Sequence, residues 1–474
     1  MSDLNFRFTS IGPLGEAQVK IEGFTVITGE NNTGKSYLAH SIYGLLRHVT
    51  TARRLPLSGR VPHPAEMDAL TTLPVIEQLD RHGVANLDLS LLSPLTNELL
   101  EQISTEFSQR IGTVFATGDE AFGTARVSLQ VSDIDLTLLN GFNGTLSIGR
   151  SNPVASVRFL QSTTSLCFES LEGFAESDPS SIENWVRRTV ARALLRASVP
   201  GVLISSAERT GAVIFQRELD FARSKLLEEV LDSSESSDGL SILREGAVEH
   251  PDAVTANVDF IRRLPDIPST PSEVIRENPE IATLLRKIVG GEYQADDHSL
   301  TFVSDTVQLP LGASSSAIRS LVDLWFYIMH VVKAGDILII DEPELNLHPR
   351  NQRLLARLLV MVHNAGVKIL ITTHSDYIVR ELSSLVVFRE ICHAIPADVE
   401  ATLEEQGIHA SMGLNRDSLH VYSTSAPTTA TPVALTEIEV NESGIEPTTF
   451  DDVISSQNEL YDMVRWGADV QAGS

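Results

Sequence analysis

Cysteine is almost absent from this chain of 474 residues: Cys167 and Cys392 stand far apart and form no CxxC pair. That argues against a disulfide framework or a cysteine zinc site, and it fits a reducing compartment. Cations are scarce beside anions, with 36 Lys and Arg against 63 Asp and Glu and a formal net charge of −27. A surface of that sign repels nucleic acid and acidic membrane on average, so a DNA-coating role is disfavoured while a local basic groove stays open. Long apolar runs are missing too. The most apolar stretch, SLVDLWFYIMHVV (Ser320 to Val332), contains Asp323 and is too short to span a bilayer, so it reads as a buried helix. The opening MSDLNFRFTSIG has acidic and polar residues where a signal peptide needs an apolar core. Internal repeats and sustained heptads are not evident. What is left is an ordinary globular composition, 42% hydrophobic and 21% charged, expected to be cytoplasmic and long enough for more than one lobe.

The informative stretch is FTVITGENNTGKSYLAHSIYGLL, Phe24 to Leu46. Gly29, Gly34, Lys35 and Ser36 satisfy G-x-x-x-x-G-K-[ST], with a β-branched apolar run leading in and an amphipathic helical pattern leading out. A loop of small residues can turn its backbone N–H groups onto phosphate oxygens. Lys35 adds a point charge toward the β- and γ-phosphates, and the Ser36 hydroxyl is a ligand for Mg²⁺. The helix that follows aims its positive end at the same anion. The expected nucleotide-binding set is Gly29, Glu30, Asn31, Asn32, Thr33, Gly34, Lys35, Ser36 and Tyr37.

About three hundred residues later comes GDILIIDEPELNLHP. Four apolar residues in a row, Ile337 to Ile340, predict a strand covered on both faces that ends in Asp341 and Glu342. Asp341 is placed to hold the metal and its water shell, and Glu342 to orient or deprotonate an attacking water. VKILITTHSDYIV repeats the design, with His374 at the strand end as a contact to the γ-phosphate. Between loop and acidic strand lies LGASSSAIRSLVDLW, whose Ser314, Ser315 and Ser316 read, on their own, as a helix N-cap.

Along the chain, LNFRFTS and AQVKIE predict an antiparallel pair joined through Pro13 and Gly15. Residues 54–117 read as helical, and residues 125–168 alternate like hairpin strands around NGFNG. SIENWVRRTVARALLRA returns to helix, and GVLISSAERTG is a short apolar run. A long helix is expected over Phe215 to Leu231, then an exposed loop, LDSSESSDG. From DILIID onward strand and helix alternate, with VVFREI as the last strand, the pattern of a parallel α/β sheet.

These pieces in this order resemble the ABC-type ATPase heads of SMC and recombination-repair proteins, and most of all the overcoming-lysogenization-defect (OLD) group of prokaryotic AAA-family ATPases. The resemblance covers roughly residues 1–50 and 200–395 and is most specific at DILIIDEPELNLHP. It implies an α/β ABC-ATPase head, an N-terminal antiparallel β-lobe plus a parallel P-loop core sheet, with a mixed α/β insertion. It implies ATP and Mg²⁺ as cofactors, with Ser36 and Asp341 at the metal, Glu342 as general base and His374 sensing the γ-phosphate. It also implies that Ser314, Ser315 and Ser316 reach in trans to a partner's ATP, although the usual glycine after the signature serine is missing. SSAERTG resembles a recurring segment in which Glu208 and Arg209 pair with each other or Arg209 faces the nucleotide.

The expected division is 1–50 as β-lobe and P-loop, 51–200 as an inserted lobe, 201–395 as the rest of the head, and 396–474 as an α/β extension. No D-x-D on a strand follows Leu385, and Asp451 and Asp452 read as a helix start, so a TOPRIM nuclease is not expected. The resemblance thus points to a sensor or scaffold ATPase of an anti-phage defence system, a homodimer or ring of dimers with a separately encoded nuclease or toxin as effector. A RecF- or SMC-like DNA-repair ATPase is the alternative, and an ABC transporter subunit fits less well.

Overall fold

The computed structural model describes residues 3–52, 68–147, 152–215, 250–296, 299–392, 395–425, 431–446 and 459. The loop expected over Leu231 to Gly239 and the Asp451–Asp452 helix start lie outside these residues, as does nearly all of the helix expected over Phe215 to Leu231.

Three runs that the sequence marks as unbroken apolar strands lie side by side. They are β3 (Phe24–Gly29), β13 (Ile337–Asp341) and β14 (Lys368–Thr373), buried at every position. With β9 (Val202–Ser205), β15 (Leu419–Thr424) and β16 (Leu435–Ile438) they form a six-stranded sheet in the order β16-β15-β3-β14-β13-β9. All neighbours are parallel except β16, which runs antiparallel to β15. Period-two alternation sends successive side chains to opposite faces. Ile337 and Ile339 of β13 enter one hydrophobic core, and Leu338 and Ile340 enter the other. The first core packs α1 (Lys35–Ala52) and the insertion; the second packs α10 (Pro349–Asn364) and α11 (Asp376–Ile391).

The remaining helices are α2 (Leu73–His82), α3 (Ser93–Gln109), α4 (Pro179–Ser198), α5 (Asp252–Arg262), α6 (Glu273–Glu277), α7 (Pro279–Val289), α8 (Ser316–Arg319), α9 (Val322–Phe326) and α12 (Ala397–Glu405). Local chemistry sets their ends. Asp178 caps α4 by accepting from Ser181 N at 3.1 Å, and Ser375 caps α11 by accepting from Ile378 N at 3.3 Å. The buried helix expected over Ser320 to Val332 is present as α9, continued by a π-helical turn at Tyr327–Val331. A buried Glu381 on α11 joins it to α10 by accepting from Arg353 at 2.5 Å and Arg357 at 2.6 Å.

The α/β architecture is as expected: an antiparallel β-lobe on a parallel core sheet, with a mixed insertion. Pairing nevertheless crosses the boundaries drawn from sequence. β1 (Leu4–Thr9) pairs with β2 (Glu16–Ile21) as the Pro13–Gly15 connection predicts, but its other edge takes β5 (Arg126–Val131) from the insertion. Phe6 faces Leu129 in that register, so the β-lobe is completed by a strand over a hundred residues away. The segment after residue 395 is likewise no appendage, since β15 sits inside the core sheet beside β3.

Three local expectations are corrected. β4 (Val84–Asp88) interrupts the helical stretch 54–117 and joins β6 (Asn143–Ser147), β7 (Pro153–Leu160) and β8 (Ser165–Ser170) in the order β4-β8-β7-β6. NGFNG is the entry to β6, because Phe142 N bonds back to Leu139 O and closes a turn before pairing begins. VVFREI is the second half of α11, not a strand: Leu382, Leu385 and Val386 bury one helical face in the second core, and the Ser384 hydroxyl donates to Arg380 O one turn back. β11 (Leu300–Val303) pairs antiparallel with β10 (Glu292–Ala295) and β12 (Gln308–Pro310) in a separate three-stranded sheet.

Because β15 closes one side of β3 and feeds both cores, removing residues 396–474 should strip the sheet of a central strand. The shortened chain is expected to lose cooperative thermal unfolding. A melting transition close to that of the full chain would show that the last segment is dispensable.

Candidate functional site

The site is built where β3, β13 and β14 end together, at the carboxyl edge of the parallel sheet. β3 runs into the loop Gly29–Gly34, which returns as α1 at Lys35. Two positive-φ glycines make that turn, Gly29 at 137° and Gly34 at 97°, with Asn32 at 62° between them. A Cβ on Gly29 would lie 2.0 Å from Thr424 Oγ1, so β15 seals the back of the loop. Thr33 Oγ1 shares a 2.6 Å hydrogen bond with Thr424 Oγ1, pinning the loop to the same strand. Lys35 is 4% exposed and donates its Nζ to Gly29 O at 3.1 Å and Glu30 O at 2.6 Å. Burial lowers its pKa to about 8, against the opposing field of Glu342, Asp341 and Glu344.

Asp341, at the tip of β13, is the junction of the site. Its Oδ1 accepts from Ser36 Oγ at 3.1 Å and from Thr372 Oγ1. His40 Nε2, on the second turn of α1, stands 3.2 Å from Oδ2. Burial would raise this carboxyl's pKa, but His40, Thr372 and Ser36 together hold it below the ordinary carboxylate range. Ser36 and Asp341 thus present two hard oxygens at one point, the donor chemistry that Mg²⁺ requires.

Glu342, the next residue, has left the strand and adopts φ 52°. Its N–H donates to Thr372 O at 3.0 Å, while Oε1 lies 3.4 Å from His374 Nε2. Both side chains are 27% exposed, so this pair opens to solvent where Asp341 does not. Below them Glu344 accepts from His374 N at 2.6 Å and from Thr373 Oγ1 at 3.0 Å, fixing the turn that carries His374. Burial raises the pKa of Glu344, opposed chiefly by the His374 N–H and aided by the charge of Glu342.

Arg209, left open between two readings, is 3% exposed. Its guanidinium donates to four carbonyls: Ser206 and Asp341 from Nη1, both at 2.9 Å, Glu342 from Nη2 at 2.9 Å, and Ser320 from Nε at 3.0 Å. The guanidinium is therefore committed to the backbone around Asp341 and Glu342. Desolvation lowers its pKa, countered first by Asp323, and burial in turn raises that of Asp323. No hydrogen bond or ion pair joins Glu208 to Arg209 among the described residues.

The three serines divide. Ser314 is buried with its hydroxyl 3.4 Å from Pro310 O, Ser315 caps α8 by accepting from Ile318 N at 3.3 Å, and Ser316 is exposed. The cap reading holds for Ser315, and no hydrogen bond links these serines to Lys35, Ser36 or Asp341. The Tyr37 ring packs on Phe115 and Phe122 of the insertion, with centroids 4.9 and 5.9 Å away. Sequence reasoning missed His40, Glu344, Thr372 and Thr424. The i+4 spacing of Ser36 and His40 on one helix face could have flagged the first of these.

Taken together, a cradle of backbone amides, a buried ammonium, a Ser–Asp oxygen pair and an adjacent Glu–His pair can bind a phosphate chain with a divalent metal and hold a water beside it.

Residues 215–379 match the family model described as an AAA ATPase domain, well under half of the chain. Over 89 residues the chain is 32% identical to a Methanosarcina acetivorans protein provisionally named an ABC transporter ATP-binding protein. That match takes in 18% of this chain and 32% of the relative, so the chain spans about a third of the length of the protein it matches. Solved structures with a similar trace include the Smc head bound to the C-winged helix domain of ScpA, at TM-score 0.35 and 10% identity, covering 92% of this chain and 98% of that one. The Pyrococcus furiosus Smc head domain with an extended coiled coil, bound to the C-terminal domain of ScpA, gives 0.34 and 10%, covering 97% and 100%. The SMC head domain from Thermotoga maritima gives 0.29 and 10%, covering 93% and 100%. Superpositions this loose carry no weight for function.

Two outcomes follow from the geometry. Arg209→Met removes a buried cation and leaves four carbonyls and Asp323 without it, so urea unfolding should show a loss of about 3–5 kcal/mol; an unchanged midpoint would make the guanidinium dispensable. Lys35 has its folded pKa below the free value of 10.5, so between about 8 and 10.5 the native state holds fewer protons than the unfolded chain. This group therefore adds stability as pH rises through that window. Urea midpoints should shift in favour of wild type relative to Lys35→Met between about pH 7.5 and about pH 9.5, and a pH-independent difference would contradict the shift.

Proposed function

We propose that this protein is a Mg²⁺-dependent ATPase of the ABC/SMC kind. The observation that carries it is the convergence of Lys35, Ser36, Asp341, Glu342 and His374, drawn from three separated segments, at the ends of three adjacent strands. Lys35 and the amides of the Gly29–Gly34 loop bind the phosphates, and Ser36 with Asp341 holds the metal. When bound, ATP would supply the scissile phosphoanhydride and the metal would offset the charge that develops on it. Glu342 would accept the proton of the attacking water, and His374, whose Nε2 lies 3.4 Å from Glu342 Oε1, would contact the γ-phosphate. The AAA ATPase match over residues 215–379, which contains Asp341, Glu342 and the switch histidine, supports the same reading.

In this reading one chain forms half of each site. Glu342 and His374 open to solvent, and Ser316 presents a free hydroxyl at the start of α8 on a surface of its own. Two chains related by a two-fold axis bring each Ser314–Ser316 segment to the other's phosphate loop and enclose two ATP molecules. The resemblance to OLD-type ATPases extends the proposal to a cytoplasmic sensor or scaffold in anti-phage defence, with a separately encoded effector docking on the dimer. Among the described residues no helix is long and apolar enough to cross a membrane.

Glu342→Gln should still bind ATP while turnover falls by roughly two to four powers of ten. The same variant with ATP and Mg²⁺ should scatter light as a dimer or a multiple of one. Wild-type turnover in this variant would move the base elsewhere, and a strictly monomeric mass would remove the trans site. Lys35→Ala separates these from binding, since it should abolish ATP binding by calorimetry.

A further inference from the structure

At the opposite end of β13 from Asp341 lies a cleft of about 980 Å³ between α4 and the loop that enters β13. It lies at the other edge of the sheet, one five-residue strand of roughly 16 Å away from Asp341. Its wall is cationic in a chain whose net charge is −27. Arg188, Arg192 and Arg196 follow one another at four-residue spacing and so share one stripe of α4, and Arg192 and Arg196 line the cleft. Lys333 lines it from the opposite element.

A stripe of like charges is destabilising in itself, and Arg188 lowers the pKa of Arg192 after burial has done so. The helix dipole accounts for Arg196, in the last turn of α4, but the effect fades beyond one turn and does not reach Arg188. Arg188, Arg196 and Lys333 form no ion pair with a carboxylate among the described residues. Arg196 is instead held in place: its Nε donates to Leu138 O at 2.8 Å, and its guanidinium carbon lies 6.0 Å over the Phe142 ring. Two carboxylates share the cleft. Asp336 accepts from Lys333 N at 3.0 Å and from Tyr327 Oη at 3.4 Å; burial raises its pKa, opposed first by the Lys333 N–H and then by the Lys333 charge. Glu273 is exposed at the start of α6.

The Arg196 guanidinium, fixed by its own hydrogen bond, suits phosphate oxygens, and the half-buried Phe142 ring suits a heterocycle beside the exposed Asn143, whose Nδ2 donates to Gly141 O at 3.1 Å. The volume sits at the upper end of what small-ligand sites use, roughly 300–1,000 Å³. We propose that this cleft is a second ligand site, distinct from the phosphate loop, that takes a nucleotide-type anion with its phosphate on Arg192, Arg196 and Lys333 and its base beside Phe142 and Asn143. The site does not depend on hydrolysis at Glu342, and it gives the acidic chain a defined place for an anionic small molecule.

The test uses the full chain carrying Lys35→Ala, which disarms the phosphate loop, with AMP, inorganic tripolyphosphate and a DNA duplex of about 20 base pairs as calorimetric probes. AMP and tripolyphosphate are expected to saturate one site per chain. Affinity for both should fall at least about tenfold in Arg192→Glu/Arg196→Glu, and measurably in Lys333→Glu, an exposed position whose change spares the core. Melting curves confirm that each variant is folded. The absence of saturable binding of either small probe would overturn the site. So would equal affinity in the folded charge-reversed variants, or binding of the duplex alone with a steep salt dependence. Tripolyphosphate binding without AMP would overturn the nucleotide assignment.

Discussion

A single buried carboxylate organises this molecule. Asp341 is 1% exposed, and a charge so placed is stable only when groups of opposite polarity surround it. The chain meets that demand from three directions: Ser36 at the start of α1, Thr372 on the neighbouring strand, and His40 one turn further along α1. These contacts fix α1, through Ser36 and His40, and β14, through Thr372, against β13. The phosphate loop is thereby set at the strand end by the same oxygens that suit a divalent metal. Building the site and closing the sheet are one act, which explains why segments 300 residues apart must meet before either is complete.

Strain sits beside that charge. Glu342 holds φ 52°, a conformation that costs a residue with a Cβ of the order of 1 kcal/mol or more. Arg209 offsets it by gripping the carbonyls on both sides of the bend, those of Asp341 and Glu342. The bend is what separates two adjacent carboxylates, turning Asp341 into the protein and Glu342 out toward His374. Since the same guanidinium also holds Ser320 O, just past α8, the helix start bearing Ser316 and the bend at Glu342 share one anchor. A displacement of α8 cannot occur without loading the hydrogen bonds that fix Glu342.

How much of this was legible beforehand follows from which interactions are local. Lys35, Ser36, Asp341, Glu342 and His374 could be read because strand, turn and helix signals lie within a few residues of each. The antiparallel pair of β1 and β2 could be read for the same reason. The partners of those residues could not. Thr424 closes the phosphate loop from almost four hundred residues away, and nothing in the run LHVYST distinguishes it from an edge strand. β5 had the right alternation but no mark of its partner, because register is decided by which faces the cores bury. Arg209 was ambiguous in principle, since a cation among carboxylates suits a ligand and a backbone clamp equally well. Only its four carbonyl partners separate the two. VVFREI has the look of a strand because β-branched residues favour strands on average, while the face that Leu382, Leu385 and Val386 bury in the second core is helical.

β13 connects the two ends of the sheet, and its stiffness limits what can pass between them. Its interior is packed on both faces, so the strand moves as a unit or not at all. Any coupling between the cationic cleft and the Asp341 end therefore needs a neighbour with two arrangements, not a flexing strand. The π-helical turn at Tyr327–Val331 is placed for that role: Val331 and Tyr327 flank the cleft through the wall and through Asp336, and the helix of which it is the end begins at Val322, two residues after Ser320. Ser320 is held by Arg209, and Arg209 holds Glu342. A continuous chain of packed and hydrogen-bonded groups thus runs from the cleft to Glu342 through this helix rather than through the sheet.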